Sequence, residues 1–123
     1  MKLSLLDRSR TRTGFPDGAA LHHSVERAVQ AESLGYHRFW AAEHHAVPGI
    51  ASGSPAVLLA AAGARTSRIR LGSGGVMLPH HQPWSSQSSS SCWRGCTRGA
   101  SIWAWGGHWL HRAGPPGAAS TDR

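Results

Sequence analysis

Two groups of residues have the types and spacing to do chemistry. One is Glu43-His44-His45, which closes an aromatic and apolar run; the other is the glycine-rich Gly72-Ser73-Gly74-Gly75-Val76-Met77-Leu78-Pro79. They lie about thirty residues apart, the interval between two successive βα units. An imidazole titrates near neutrality and can serve as general acid or base, and His44 is the candidate for that role. His45 points to the other face of an extended segment and is assigned to structure. Glu43 fits two roles, orienting a histidine through its carboxylate or forming an exposed ion pair. In Ser73, Gly74, Gly75, Val76 and Met77, the scarcity of bulky side chains lets the backbone approach a planar ligand closely. Each group also has a plainer reading: the tripeptide as a polar loop after a strand, the glycines as a bulge or bend.

The elements that must position these groups follow from periodicity. Lys2 to Leu6 is a short apolar-rich run closed by Asp7 and Arg8, suited to a buried strand. From Asp17 to Leu34, Leu21, Val25, Ala28 and Val29 recur with helical spacing, and Gly35 supplies the stop. Tyr36 to Ala42 is the second strand. Ser54-Pro55 is an N-cap followed by proline at the first helical position, opening a helix over Ala56 to Arg65. Arg68 to Leu78 is the third strand. The order is βαβαβ, and short connections favour a parallel sheet with right-handed crossovers.

Composition bounds the partners. The 123 residues carry a formal net charge of +7, from 13 Lys+Arg against 6 Asp+Glu. The arginines are scattered, with Arg8, Arg10 and Arg12 as one close group and Arg65, Arg68 and Arg70 as another. No basic stripe interleaved with exposed aromatics is present, so no nucleic-acid partner is expected. The N-terminal apolar run is too short for a secretory signal or a membrane span. Neither cysteine precedes residue 92, so the candidate folded region has no disulfide framework, and a reducing, cytoplasmic setting is the default expectation. The histidine pairs His22-His23, His44-His45 and His80-His81 lack the i, i+4 spacing of a helical metal site, and Cys92-x₃-Cys96 has no second pair in reach, so no metal is expected. No G-x-G-x-x-G opens a helix, which argues against a dinucleotide fingerprint.

With Gly35-Tyr36-His37-Arg38-Phe39-Trp40 leading into Glu43-His44-His45, and with the glycine-rich third strand, the chain resembles the N-terminal part of the luciferase-like flavin-dependent monooxygenases. The resemblance covers residues 1 to about 83. It implies an α/β fold, namely the N-terminal βαβαβ portion of a TIM (β/α)₈ barrel. Such a barrel typically needs roughly 250 residues, so the chain would be an incomplete piece of one. The resemblance also implies FMN or reduced FMN beside Ser73 to Met77, a non-prolyl cis peptide at Gly74-Gly75, catalysis by His44, and O₂ with a small organic molecule as co-substrates. Family members are often dimeric. A fragment of three strands is expected to be inactive and, with an open edge and an uncovered sheet face, prone to aggregate. The alternative is a small non-enzymatic binding or interaction module with a basic disordered tail.

Residues 84–123 form a second, low-complexity region. They contain five of the six tryptophans and both cysteines, yet only Ile102 and Leu110 among Leu, Ile, Val and Phe, and no glutamate. Together with the serine run Ser85 to Ser91 and Gly114-Pro115-Pro116-Gly117, this is the composition of linker or disorder rather than of a core. Translating the codons one base out of register beyond residue 83 permits a peptide with an amphipathic helix, a turn HPGR and a strand IDLGLG. The luciferase-like family places those elements after its third strand, so a frameshift near codon 83 is expected.

Overall fold

The three strands expected from the sequence form and lie side by side. In a computed structural model, which describes residues 1–82, 88 and 89 and the strand segments 102–105 and 108–112, β1 (Ser4–Asp7) pairs in parallel with β2 (Arg38–Ala41), and β2 with β3 (Arg70–Ser73). The register aligns Asp7 with Ala41 and Ala41 with Ser73, so the three C-terminal ends lie level at one rim of the sheet.

Helix α1 (Asp17–Ser33) opens after Pro16, with Asp17 placing negative charge in the first turn. It closes at Gly35, whose φ of +77° lets the Tyr36 and Gly35 N–H groups donate back to the Ala31 and Glu32 carbonyls. That pairing caps carbonyls the helix would otherwise leave orphaned. Helix α2 (Pro55–Arg65) has proline in its first turn, as its sequence requires, but the Ser54 hydroxyl makes no capping hydrogen bond. Both helices lie on one face of the sheet. Phe39, Ala41 and Leu71 pack there with Val25, Ala28, Ala31, Leu58, Leu59 and Ala62 in a single buried cluster. Because side chains alternate along a strand, Leu6, Arg38, Trp40 and Arg70 face the other way; among the described residues no helix covers that side, and Leu6 is 60% exposed. Strand order that follows chain order, with both helices on one face, is the arrangement of a barrel segment. A doubly wound sheet would reverse the order at a switch point.

The third strand is shorter than its sequence pattern suggests. It ends at Ser73: the Gly74 N–H makes the last rung of the ladder, donating to the Ala41 carbonyl at 2.7 Å, and the Ser73 hydroxyl then bonds to the Gly75 carbonyl and folds the chain away. Leu78–His80 forms a short 3₁₀ turn where extended chain was expected. No cis peptide occurs among the described residues, so Gly74-Gly75 is trans.

Two strands absent from the sequence reading extend the sheet. β4 (Ile102–Trp105) joins β3 in parallel, with Gly72 opposite Ile102 and Ser73 opposite Trp103, and β5 (His108–Arg112) returns antiparallel to it. Isoleucine and tryptophan are strand-forming residues, and β3 otherwise offers an unpaired edge. Most of 84–123 lies outside the described residues, and the expectation of disorder there with it.

Candidate functional site

The level strand ends create a cleft. A cavity of about 680 Å³ is walled by Leu6 of β1 and Arg8 just after it, by Ala42, Glu43 and His44 after β2, and by Gly74, Gly75, Val76, Met77 and Pro79 after β3. The structure thus brings His44 and four of the five glycine-rich candidates to one place.

Ser73 is the exception. It is fully buried, and its hydroxyl is engaged with the main chain of Gly75, whose N–H also points back to it at 3.3 Å. Its part is to fold the 73–75 turn. Gly74 and Gly75 differ as well. A Cβ on Gly74 would come within 2.6 Å of the Leu6 Cδ1, whereas one on Gly75 meets nothing within 4 Å. The missing side chain at Gly74 therefore accommodates Leu6, and the one at Gly75 leaves space open.

His44 is half-buried and held by its backbone. Its N–H donates to the Ser52 carbonyl at 2.9 Å, and the Ser52 hydroxyl donates to the Arg8 carbonyl at 3.2 Å. Further bonds from Ala51 N–H to Ser9 and from Thr11 N–H to Gly49 stitch the loop after β1 to the loop before α2. No described residue hydrogen-bonds the His44 ring, which leaves it available to the cleft.

Glu43 does not orient His44. Its carboxylate, 1% exposed, is taken up elsewhere: Oε1 lies 2.7 Å from His45 Nε2 and 2.5 Å from His81 Nε2. Oε2 accepts the Met77 N–H at 3.0 Å. Burial opposes ionisation of this group, but the hydrogen bonds from His45, Met77 and His81 outweigh it and hold the carboxyl below its ordinary range. The ring of His45 lies against that of His80, centroids 4.7 Å apart and tilted by 44°. Glu43, His45 and His81 each present one ligand-type atom, all within 4.8 Å of one another.

Sequence reasoning missed two groups. His81 was visible only as half of an adjacent pair, and nothing local connects it to Glu43. The second is a buried polar cluster beneath the rim. Asp7 accepts from the Ser9 N–H at 3.1 Å, and from the Ser24 hydroxyl and the Arg27 guanidinium. Its one legible signal is Ser24, a polar residue inside the apolar stripe of α1.

A parallel α/β segment with strand order following chain order and both helices on one face is the first part of a (β/α)₈ barrel. The family model for luciferase-like monooxygenases matches residues 1–86. The chain belongs to the luciferase-like monooxygenase family. It is 49% identical over 80 residues to a luciferase-like monooxygenase of Escherichia coli (strain K12), which covers 65% of this chain and 24% of that protein. Among solved structures, apo-MsnO8 superposes with a TM-score of 0.76 at 37% identity, covering 81% of this chain and 31% of the other. The oxygenating constituent of 3,6-diketocamphane monooxygenase from Pseudomonas putida, a type II Baeyer-Villiger monooxygenase solved in complex with FMN, shares the fold with a TM-score of 0.74 at 23% identity, over 85% of this chain and 29% of its own. The chain therefore spans about a quarter to a third of the length of the relatives it matches. No helix among the described residues is long and apolar enough to cross a membrane.

Proposed function

We propose that this chain supplies the first walls of a flavin-dependent monooxygenase site, with His44 as its acid–base residue. The observation that carries the reading is the shared cleft, in which His44 and Gly74 to Met77 arrive from different strands. The residues fit a flat aromatic group: Gly75 leaves open space beside the backbone, and Val76 and Met77 give apolar contact. When bound, reduced FMN supplies the electrons for placing one atom of O₂ in a small organic substrate while the other leaves as water. In that setting the backbone of Gly74 and Gly75 sets how near the ring can lie, and the His44 imidazole gives or takes a proton at its cleft-facing nitrogen. Arg8 adds positive charge at the rim. The Ser52 and Arg8 carbonyl bonds hold the His44 main chain while leaving its ring free.

By itself the chain does not turn over substrate in this reading, because four parallel strands cannot close a barrel. Flavin binding is the direct test. FMN fluorescence should be quenched on titration with the full chain, and Gly75→Leu should weaken that quenching by ~10-fold or more by filling the open space, while His44→Ala leaves it nearly unchanged. Equal affinity for wild type and Gly75→Leu, or no binding at all, would remove the basis for placing flavin here. That outcome would favour a non-enzymatic binding module.

A further inference from the structure

We propose that Glu43, His45 and His81 form a binding site for a divalent transition-metal ion, with Zn²⁺ as the best-matched occupant. The inference stands independently of the flavin reading.

The donor set is two imidazole nitrogens and one carboxylate oxygen, which suits zinc and its neighbours better than calcium or magnesium. Nε2 of His45 and Nε2 of His81 lie 2.7 and 2.5 Å from Oε1 of Glu43, and the three donor atoms fall within 4.8 Å of one another. Ligands about 2.05 Å from a tetrahedral ion sit roughly 3.3 Å apart. Shifts of well under ~1 Å per donor therefore convert the hydrogen-bonded cluster into a coordination triangle. The metal takes the place of the hydrogen in each nitrogen–oxygen contact, and each neutral imidazole binds it through an unprotonated Nε2 while carrying its one proton on Nδ1.

The surroundings are those of a site held in place. The second carboxylate oxygen is fixed by the Met77 N–H at 3.0 Å, the outer hydrogen bond that orients a ligating carboxylate. The His80 ring packs against His45. A cavity of about 70 Å³ bounded by Glu43, His81, Ser54 and Val76 leaves room for water as a fourth ligand, and the histidine side chains, 34% and 32% exposed, give the ion a route in from solvent. Bound there, the ion would clasp the segment after β2 to the segment after β3, the same two segments that present His44 and Met77 to the cleft.

The full chain, freed of metal with a chelator, is titrated with Zn²⁺ by calorimetry near neutral pH. One ion per chain is expected. His81→Ala and Glu43→Gln should each lower the affinity by more than ~10-fold, while His22→Ala and Cys92→Ser leave it unchanged. Far-UV circular dichroism checks that each variant keeps its secondary structure. Co²⁺ substitution gives a second readout that does not depend on the variants: visible d–d bands without a thiolate charge-transfer band. Absence of stoichiometric binding, a thiolate band, or sensitivity to His22 or Cys92 in place of His81 would overturn the site.

Discussion

Replacement of Asp7 tests whether the polar cluster beneath the rim holds the first strand to the first helix. Asp7 is only 2% exposed. Its Oδ2 accepts the Ser9 N–H at 3.1 Å and the Ser24 hydroxyl, and Oδ1 meets Arg27. In Asp7→Ala two of these partners have somewhere else to go. The Ser24 hydroxyl can donate to the Ala20 carbonyl 3.0 Å away, and Arg27, whose side chain is 46% exposed, can turn to water. The Ser9 N–H cannot, and an orphaned buried donor costs about 1–3 kcal/mol. Ser9 is also held at a φ of 47°, a left-handed conformation that is uncommon for a residue with a Cβ and persists only when its surroundings enforce it. Adding the cavity left by the carboxylate and a half-solvated ion pair of under ~1 kcal/mol, Asp7→Ala should destabilise by about 2–4 kcal/mol. Asp7→Asn keeps an acceptor for Ser9 and should cost about 1–2 kcal/mol, and Arg27→Ala less than ~1 kcal/mol. Urea unfolding followed by far-UV circular dichroism gives the order. If Arg27→Ala cost as much as Asp7→Ala, the ion pair and not the buried network would be the source of the stability, and this reasoning would be wrong.

Two further outcomes follow from the same interactions. The Glu32 carboxylate accepts the N–H groups of Ser67, Arg68 and Ile69 at 3.0, 2.6 and 2.7 Å; burial opposes its ionisation, but the three backbone bonds prevail and lower its pKa. Its stabilisation is therefore present above the unfolded carboxylate value of about 4.3 and is lost as pH falls through the depressed folded value, so Glu32→Gln should destabilise modestly at neutral pH and match wild type in acid, read by urea unfolding at both. In a frame-restored protein that carries the rest of the barrel, His44→Ala should lower turnover by about 10² to 10⁴-fold with flavin affinity nearly unchanged, and steady-state rates that stay at the wild-type level would remove His44 from the chemistry.

How far the sequence could be read depended on how local each signal was. The two helices and three strands were legible because Val25, Ala28, Phe39, Leu59 and Leu71 repeat with the period of their element, and Gly35 and Pro55 mark boundaries through backbone chemistry. The end of β3 was not, because it is the Ser73 hydroxyl folding back on the Gly75 main chain that turns the segment, and the glycine pattern does not announce that contact. The cleft could be anticipated from two strand ends meeting, but the orientation of Glu43 could not. Its partners Met77 and His81 lie on a different loop, and spacing along one chain segment carries no information about contacts between segments. The same limit applied to the histidines: adjacent ones diverge, while one member of each of two pairs converges on Glu43.

The strand at 102–105 bears on the reading frame. Its residues Ile102, Trp103, Ala104 and Trp105 pair with β3 in parallel, where a barrel would place its fourth strand. In the shifted frame, the segment IDLGLG spans the codon junctions from Ala100/Ser101 to Trp105/Gly106, and the Trp103/Ala104 and Trp105/Gly106 junctions can encode only glycine. A one-base shift preserves the number of codons between elements, so the distance from β3 to the next strand is the same in either frame. What changes is composition: the shifted frame restores the aliphatic residues that 84–123 lacks in the present one, and with them the apolar helix face needed to cover β3. We propose that the gene carries a single-base insertion or deletion near codon 83. Resequencing the locus should reveal it, with the restored frame remaining open well past codon 123 and continuing the barrel. A confirmed sequence whose shifted frame meets an early stop would exclude the frameshift.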